Sequence, residues 1–130
     1  SIPAAPPPSP ATAEHAEALL LIRTMIAAAK ADGTIDAEER GGIARQLDTA
    51  GLSPAERDFV LADLDRPLSP EALAAEAHDP MLAAQLYAAA FAATHAISPG
   101  ERAWLDTFAR ALRLDRAAVD AIEKRLGTQA

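Results

Sequence analysis

The residues with the clearest chemical potential are the carboxylates of Ala31-Asp32-Gly33-Thr34-Ile35-Asp36-Ala37-Glu38-Glu39-Arg40. Asp32, Asp36 and Glu39 lie around what reads as a tight turn between two helices. A hard cation such as Ca²⁺ or Mg²⁺ takes several oxygen ligands from such a turn, and a glycine permits the sharp bend. With Gly33 at the glycine position of a helix-loop-helix calcium loop, Asp32, Ile35, Asp36 and Glu39 take the places of ligand, hydrophobic plug, ligand and terminal bidentate glutamate. The leading half is absent, because Ala28 and Lys30 stand where its first two acids belong. A regular calcium loop is therefore excluded, and a weaker or differently built site remains. The same residues have a purely local reading: Gly33 ends a helix, Asp36 caps the next, Glu39 completes a capping box and Ile35 staples the turn. Asp32 alone is left without a local task. The candidate metal ligands are thus Asp32, Asp36 and Glu39, with Ca²⁺ or Mg²⁺ as the candidate ion.

Other chemistries find little support. The chain has no cysteine, which removes disulfides, zinc–thiolate sites, cysteine nucleophiles and redox switches. His15, His78 and His95 have no partner at ligand spacing; His78 and His95 fall near helix C-termini, where the partial negative charge favours an imidazolium. Ser53, Ser69 and Ser98 each precede a proline at a helix start and read as caps rather than nucleophiles. Gly41-Gly42 lies inside a helix, where it either permits close helix approach or weakens the helix; it is not a phosphate-cradling loop. No nucleophile–base arrangement is present, so the expectation is a protein that is not an enzyme, although carboxylates with a metal could still do chemistry.

The elements that must position these residues are helices. Of 130 residues, 34 are alanine and 2 are valine, a balance that favours helix over strand. The length suits one domain. A formal net charge of −7 argues against nucleic acid or an anionic membrane surface as partner. The most apolar stretch, Met81 to Ile97, is too short and alanine-rich for a membrane span and reads as a buried helix. Half of the ten prolines fall in the first ten residues, so 1–11 reads as a proline-rich linker and 12–130 as the domain.

From Thr12 onward, caps and stops predict helices over about 13–31, 37–50, 54–65, 70–77, 81–95, 99–113 and 116–126. The expected core includes Ile22, Ile26, Phe59, Leu61, Phe91, Trp104, Phe108 and Val119. An internal repeat is also visible: Ala27-Ala28-Ala29, Ile35 and Glu39-Arg40 have counterparts in Ala88-Ala89-Ala90, Ile97 and Glu101-Arg102, offset by 61 to 62 residues. One such unit cannot bury its apolar faces alone, and two facing each other can. The predicted fold is an all-α, seven-helix bundle of two pseudo-symmetric repeats. The repeats differ in charge: 31–65 hold nine acidic and three basic groups, and 101–126 hold five and six.

The segment from Leu21 to Glu39, with its Ala-Asp-Gly-x-Ile-Asp-x-x-Glu element, resembles the tellurite-resistance TerB-like family, closest to a bacterial inner-membrane family of unassigned function. Ala83 to Ala90 and Glu101-Arg102-Ala103-Trp104-Leu105 extend the likeness over about 13–127. The resemblance implies a compact pseudo-symmetric helical domain with acidic inter-helix turns, and divalent cation binding at positions that map to Asp32, Asp36 and Glu39. It also implies membrane association through an N-terminal apolar region, this domain itself being soluble, and a role in envelope or metal-stress physiology. The relatives carry aspartates in the second turn too. Here that turn is Thr94-His95-Ala96-Ile97-Ser98, with Glu101 as its remaining acid and His95 where a carboxylate is expected. The expected work is binding, of a protein partner, a divalent cation or both; the alternative is a structural or protein-interaction module without a metal site.

Overall fold

Capping residues set the helix boundaries. A computed structural model describes residues 10–94 and 96–127. Its helices are α1 (Pro10–Ala29), α2 (Ala37–Ala50), α3 (Pro54–Leu61), α4 (Pro70–Ala75), α5 (Pro80–Ala93), α6 (Pro99–Ala111) and α7 (Arg116–Gly127), with no strand among the described residues. Short 3₁₀ turns, Lys30–Asp32 and Ala62–Leu64, follow α1 and α3. The side chains of Asp36, Ser53, Ser69, Asp79 and Ser98 each accept the N3 backbone N–H of the helix they open. Asp115 accepts from Ala118 N–H at the start of α7. In α2, α3 and α6 a glutamate at N3 returns the bond to its N-cap N–H, completing three capping boxes. Each box satisfies two backbone donors that a helix N-terminus otherwise leaves bare.

Several boundaries differ by a few residues from the sequence expectation, and two have a clear physical reason. α1 begins at Pro10, so Pro10, Ala11 and Thr12 all lie within the helix. Proline suits a first helical turn, where its missing N–H has no intrahelical partner to lose. The rest of the expected linker, residues 1–9, lies outside the described residues. At the other end, α6 stops at Ala111 because Arg113 turns left-handed (φ 61°), a stop not marked by glycine.

Each long helix packs on the two helices that follow it, and the long helices pack on each other. α1 meets α2, α3 and the second 3₁₀ turn, α5 meets α6 and α7, and α1 lies along α5; α4 rests on α6. The core divides accordingly. Ile22, Ile26 and Ala29 of α1 close over Ile43, Leu47 and Val60. Ala27 and Ala28 of the same helix face Leu86, Tyr87, Leu105 and Phe108. Small alanines on α1 and α5 let these backbones approach closely, leaving the few large side chains to fill the second repeat.

Of the expected core, Ile22, Ile26, Phe108 and Val119 are buried, and Leu61, Phe91 and Trp104 are half-buried. Phe59 is a correction. It is 55% exposed on the outer side of α3, with the Arg23 guanidinium 4.6 Å from its ring centroid. Val60 takes the inward place beside it.

An ion pair ties down the last element of each repeat. Arg23 donates through Nε (2.6 Å) and Nη2 (3.1 Å) to the two carboxylate oxygens of buried Asp63. Arg102 donates through Nη1 (2.9 Å) and Nη2 (2.8 Å) to the two oxygens of Glu123 on α7. Tyr87, buried on α5, donates its hydroxyl to Glu123 and accepts from Arg102 at 3.1 Å. No described helix is long and apolar enough to cross a membrane.

Candidate functional site

The acidic turn is built by α1 ending early and α2 starting late. Gly33, left-handed at φ 91°, closes the first 3₁₀ turn by donating its N–H to Lys30 O at 2.9 Å. The chain then runs extended into the α2 cap. Asp32 is exposed, and its Oδ1 accepts from Thr34 N–H at 3.1 Å. Asp36 is exposed too, and its Oδ1 accepts from Glu39 N–H at 2.8 Å. Glu39 turns inward, and its Oε1 accepts from Asp36 N–H at 3.0 Å. The three candidate ligands are thus a turn former, a cap and the cap's box partner. Among the described residues no group of three or more His, Asp or Glu is placed to hold a metal ion.

The sequence does not announce where Glu39 goes. It is 7% exposed, at the junction of the two repeats, and meets Glu101, the same box position of α6, which is 2% exposed. The signal available in sequence was the repeat itself, which pairs these two glutamates by position. Burial is the largest influence on Glu39 and raises its carboxyl to about 7; the Asp36 N–H opposes this, and the Glu101 carboxyl adds to it. Glu101 accepts Ser98 N–H through Oε1 at 2.9 Å, while its buried Oε2 has no hydrogen-bond partner.

Gly100 makes this junction possible. The first 3₁₀ turn packs against the α6 N-terminus, and a Cβ at residue 100 would lie 3.3 Å from Ala31 O and 3.4 Å from Asp32 Cα. We expect Gly100→Ala to forgo the roughly 1 kcal/mol that alanine returns at an ordinary helix position. Its Cβ must displace backbone, so thermal unfolding should show a small net loss; a clear gain would mean that the turn yields freely. Gly41 and Gly42 differ, since only the Arg45 guanidinium lies within 4 Å of a Cβ built at either. They weaken α2 without admitting another backbone.

The remaining sequence candidates lie apart. His15 bonds Glu56, and exposed His78 sits 3.1 Å from Asp79 and 3.8 Å from Glu17. His95 lies outside the described residues. The Ser53, Ser69 and Ser98 hydroxyls are all engaged as caps.

Comparison with known proteins finds sequence relatives. A family described as "Protein of unknown function (DUF533)", within the TerB-like superfamily, matches residues 2–126. A Yersinia enterocolitica protein described as "Uncharacterized protein in ampR 5'region" is 30% identical over 104 residues, covering 80% of this chain and 75% of that protein. No solved structure matches.

Proposed function

The chain belongs to this DUF533 family, and from that premise we propose a non-enzymatic helical domain that works by binding a protein partner, as part of a membrane-associated bacterial protein. The observation that carries the reading is that the polar side chains marked for chemistry already hold the fold. Asp36 and the three serines cap helices, Glu39 closes a box, and Asp32 braces its turn. Recognition is assigned in this reading to the outer surface of the first repeat. There Asp48, Asp58 and Asp65 are exposed, and Phe59 presents its ring beside Arg23. An exposed aromatic among carboxylates suits a partner segment with both basic and apolar side chains.

Calorimetry and thermal unfolding with millimolar Ca²⁺, Mg²⁺, Mn²⁺ and Zn²⁺ separate this reading from a cation site on the acidic turn. The expected result is no heat and no shift in melting temperature with any ion. Stabilisation by Ca²⁺ or Mg²⁺ that Asp32→Asn abolishes, at little cost to metal-free stability, would instead make the turn a cation site. A photo-crosslinker at position 59 of the full-length protein in its own bacterium tests the surface directly. A discrete adduct absent from a control at exposed Glu71 supports it, and equal labelling at both positions counts against it.

A further inference from the structure

The outer face of α3 and a cleft between α6 and α7 are opposite in charge and alike in having an apolar centre. On the first, Ala55, Asp58 and Phe59 of α3 and Ala62 just past it are all exposed and follow one another at helical spacing. The Phe59 ring thus stands out between small residues. The charged neighbours are mostly engaged: Arg23 with Asp63, Glu56 with His15, and Arg57 with Asp48 at 3.7 Å. Asp58 and Asp65 are exposed and have no ion-pair partner among the described residues. The cleft, of about 280 Å³, is lined by apolar Ala109, Leu114 and Val119 and by Asp106, Arg110 and Arg116. Asp106 is taken by Arg102, and Asp115 beside the cleft is spent on capping α7. Arg110 and Arg116 are exposed, and among the described residues neither has an ion-pair partner. Arg110 reaches Thr107 Oγ1 at 3.4 Å, and Arg116 acts on Glu123 from farther away. We propose that the α3 face of one copy docks into the α6–α7 cleft of a second copy of this chain, with Phe59 entering the cleft and the Asp58 carboxylate meeting Arg110 and Arg116.

The proposal rests on the reading of the α3 face as the recognition surface, and names what that face recognises. That face calls for basic and apolar side chains together, and the cleft supplies both. The charge balance of the repeats points the same way: nine acidic and three basic groups in 31–65, against five and six in 101–126. Unlike charges steer the two ends of different copies toward each other. A symmetric contact of α3 on α3 would instead set Asp58 against its own counterpart, which repels. The two surfaces belong to different repeats, α3 packing on α1 and α7 on α5. Each copy therefore offers one ring and one cleft, and the contact is head-to-tail, closing into a ring or continuing as an open chain. One aromatic anchor with rim charges makes a small interface, so the affinity should be weak and salt-dependent.

The experiment is sedimentation equilibrium of the chain from micromolar to millimolar concentration, comparing wild type with Phe59→Ala and Arg116→Glu. Both substituted residues are exposed, and a circular dichroism spectrum checks that each variant is folded. The mean mass of wild type should rise with concentration, less so at high salt. Each variant alone should associate at least about tenfold more weakly, as expected when an anchor or its charge partner is lost. Mixed together, the two variants should form a dimer and stop there, because one still has the cleft and the other still has the ring. A wild type that stays monomeric, a variant that associates like wild type, or a mixture that stays monomeric would each overturn the proposal. If Arg116→Glu does not fold, Arg110→Glu tests the same cleft. The photo-crosslinker at position 59 separates this proposal from the reading beneath it. An adduct of two copies, joined to a peptide of α6 or α7, supports the cleft. A discrete adduct with a different protein and none between copies overturns the second copy as partner and leaves the recognition surface standing. No discrete adduct, with a monomeric wild type, overturns both.

Discussion

Phe108→Ala is expected to lower the free energy of unfolding by about 3–5 kcal/mol, and the melting temperature by about 10 °C or more. Phe108 is fully buried in the second repeat, with its ring centroid 4.9 Å from that of Trp104 and 6.5 Å from that of Tyr87. The cost of such a truncation depends on how far neighbours collapse into the space. Here many neighbours are alanines, including Ala27, Ala28, Ala83, Ala90 and Ala109, which have no side-chain length with which to reach inward. The loss should therefore lie toward the upper part of the range. Phe59→Ala is the internal comparison, because it removes a ring of the same size from a mostly solvated position. Denaturant unfolding should separate the two by at least about 2 kcal/mol. Equal losses would mean that the aromatic interior does not carry the second repeat.

That contrast also shows where sequence reasoning succeeds and stops. Caps are local chemistry, so Asp36, Ser53, Ser69, Asp79, Ser98 and Asp115 could each be read from a few neighbouring residues, and all six act as caps. Periodicity needs length. α3 spans only eight residues, too few for spacing alone to decide whether Phe59 or Val60 faces inward. The left-handed residues Ala96, in the α5–α6 connection, and Arg113, just past α6, were invisible because neither is glycine. The acidic turn was legible as a set of caps, and the inward course of Glu39 was not. A capping box specifies bonds within four residues, whereas burial of its glutamate depends on Glu101, 62 positions away, and on Gly100 admitting the turn beside it. The ties Arg23–Asp63 and Arg102–Glu123 were missed for the same reason, being contacts between elements with no local signature.

Arg102→Met should cost about 1–2 kcal/mol at neutral pH, and the loss should shrink in acid. The guanidinium satisfies both Glu123 oxygens and the Tyr87 hydroxyl, joining α5, α6 and α7 through one side chain. It is 37% exposed against 22% for Glu123, so solvent screens part of the pair and the estimate stays modest. Arg102's hydrogen bonds are the main reason that the Glu123 carboxyl lies below its ordinary value, with Tyr87 adding to them against the opposing effect of burial. A depressed carboxyl stabilises the fold above its unfolded value of 4.5, and that contribution is lost as the pH falls through the lower folded value. Wild type should thus lose stability in acid more steeply than Arg102→Met, and the two curves should converge. A gap that does not change with pH would mean that the arginine acts through the packing of its stem. Glu123 and Glu39 therefore bend the stability profile in opposite directions, one on the acid side of 4.5 and the other toward neutrality. Removing Arg102 should therefore flatten the acid side of the profile and leave the neutral side in place.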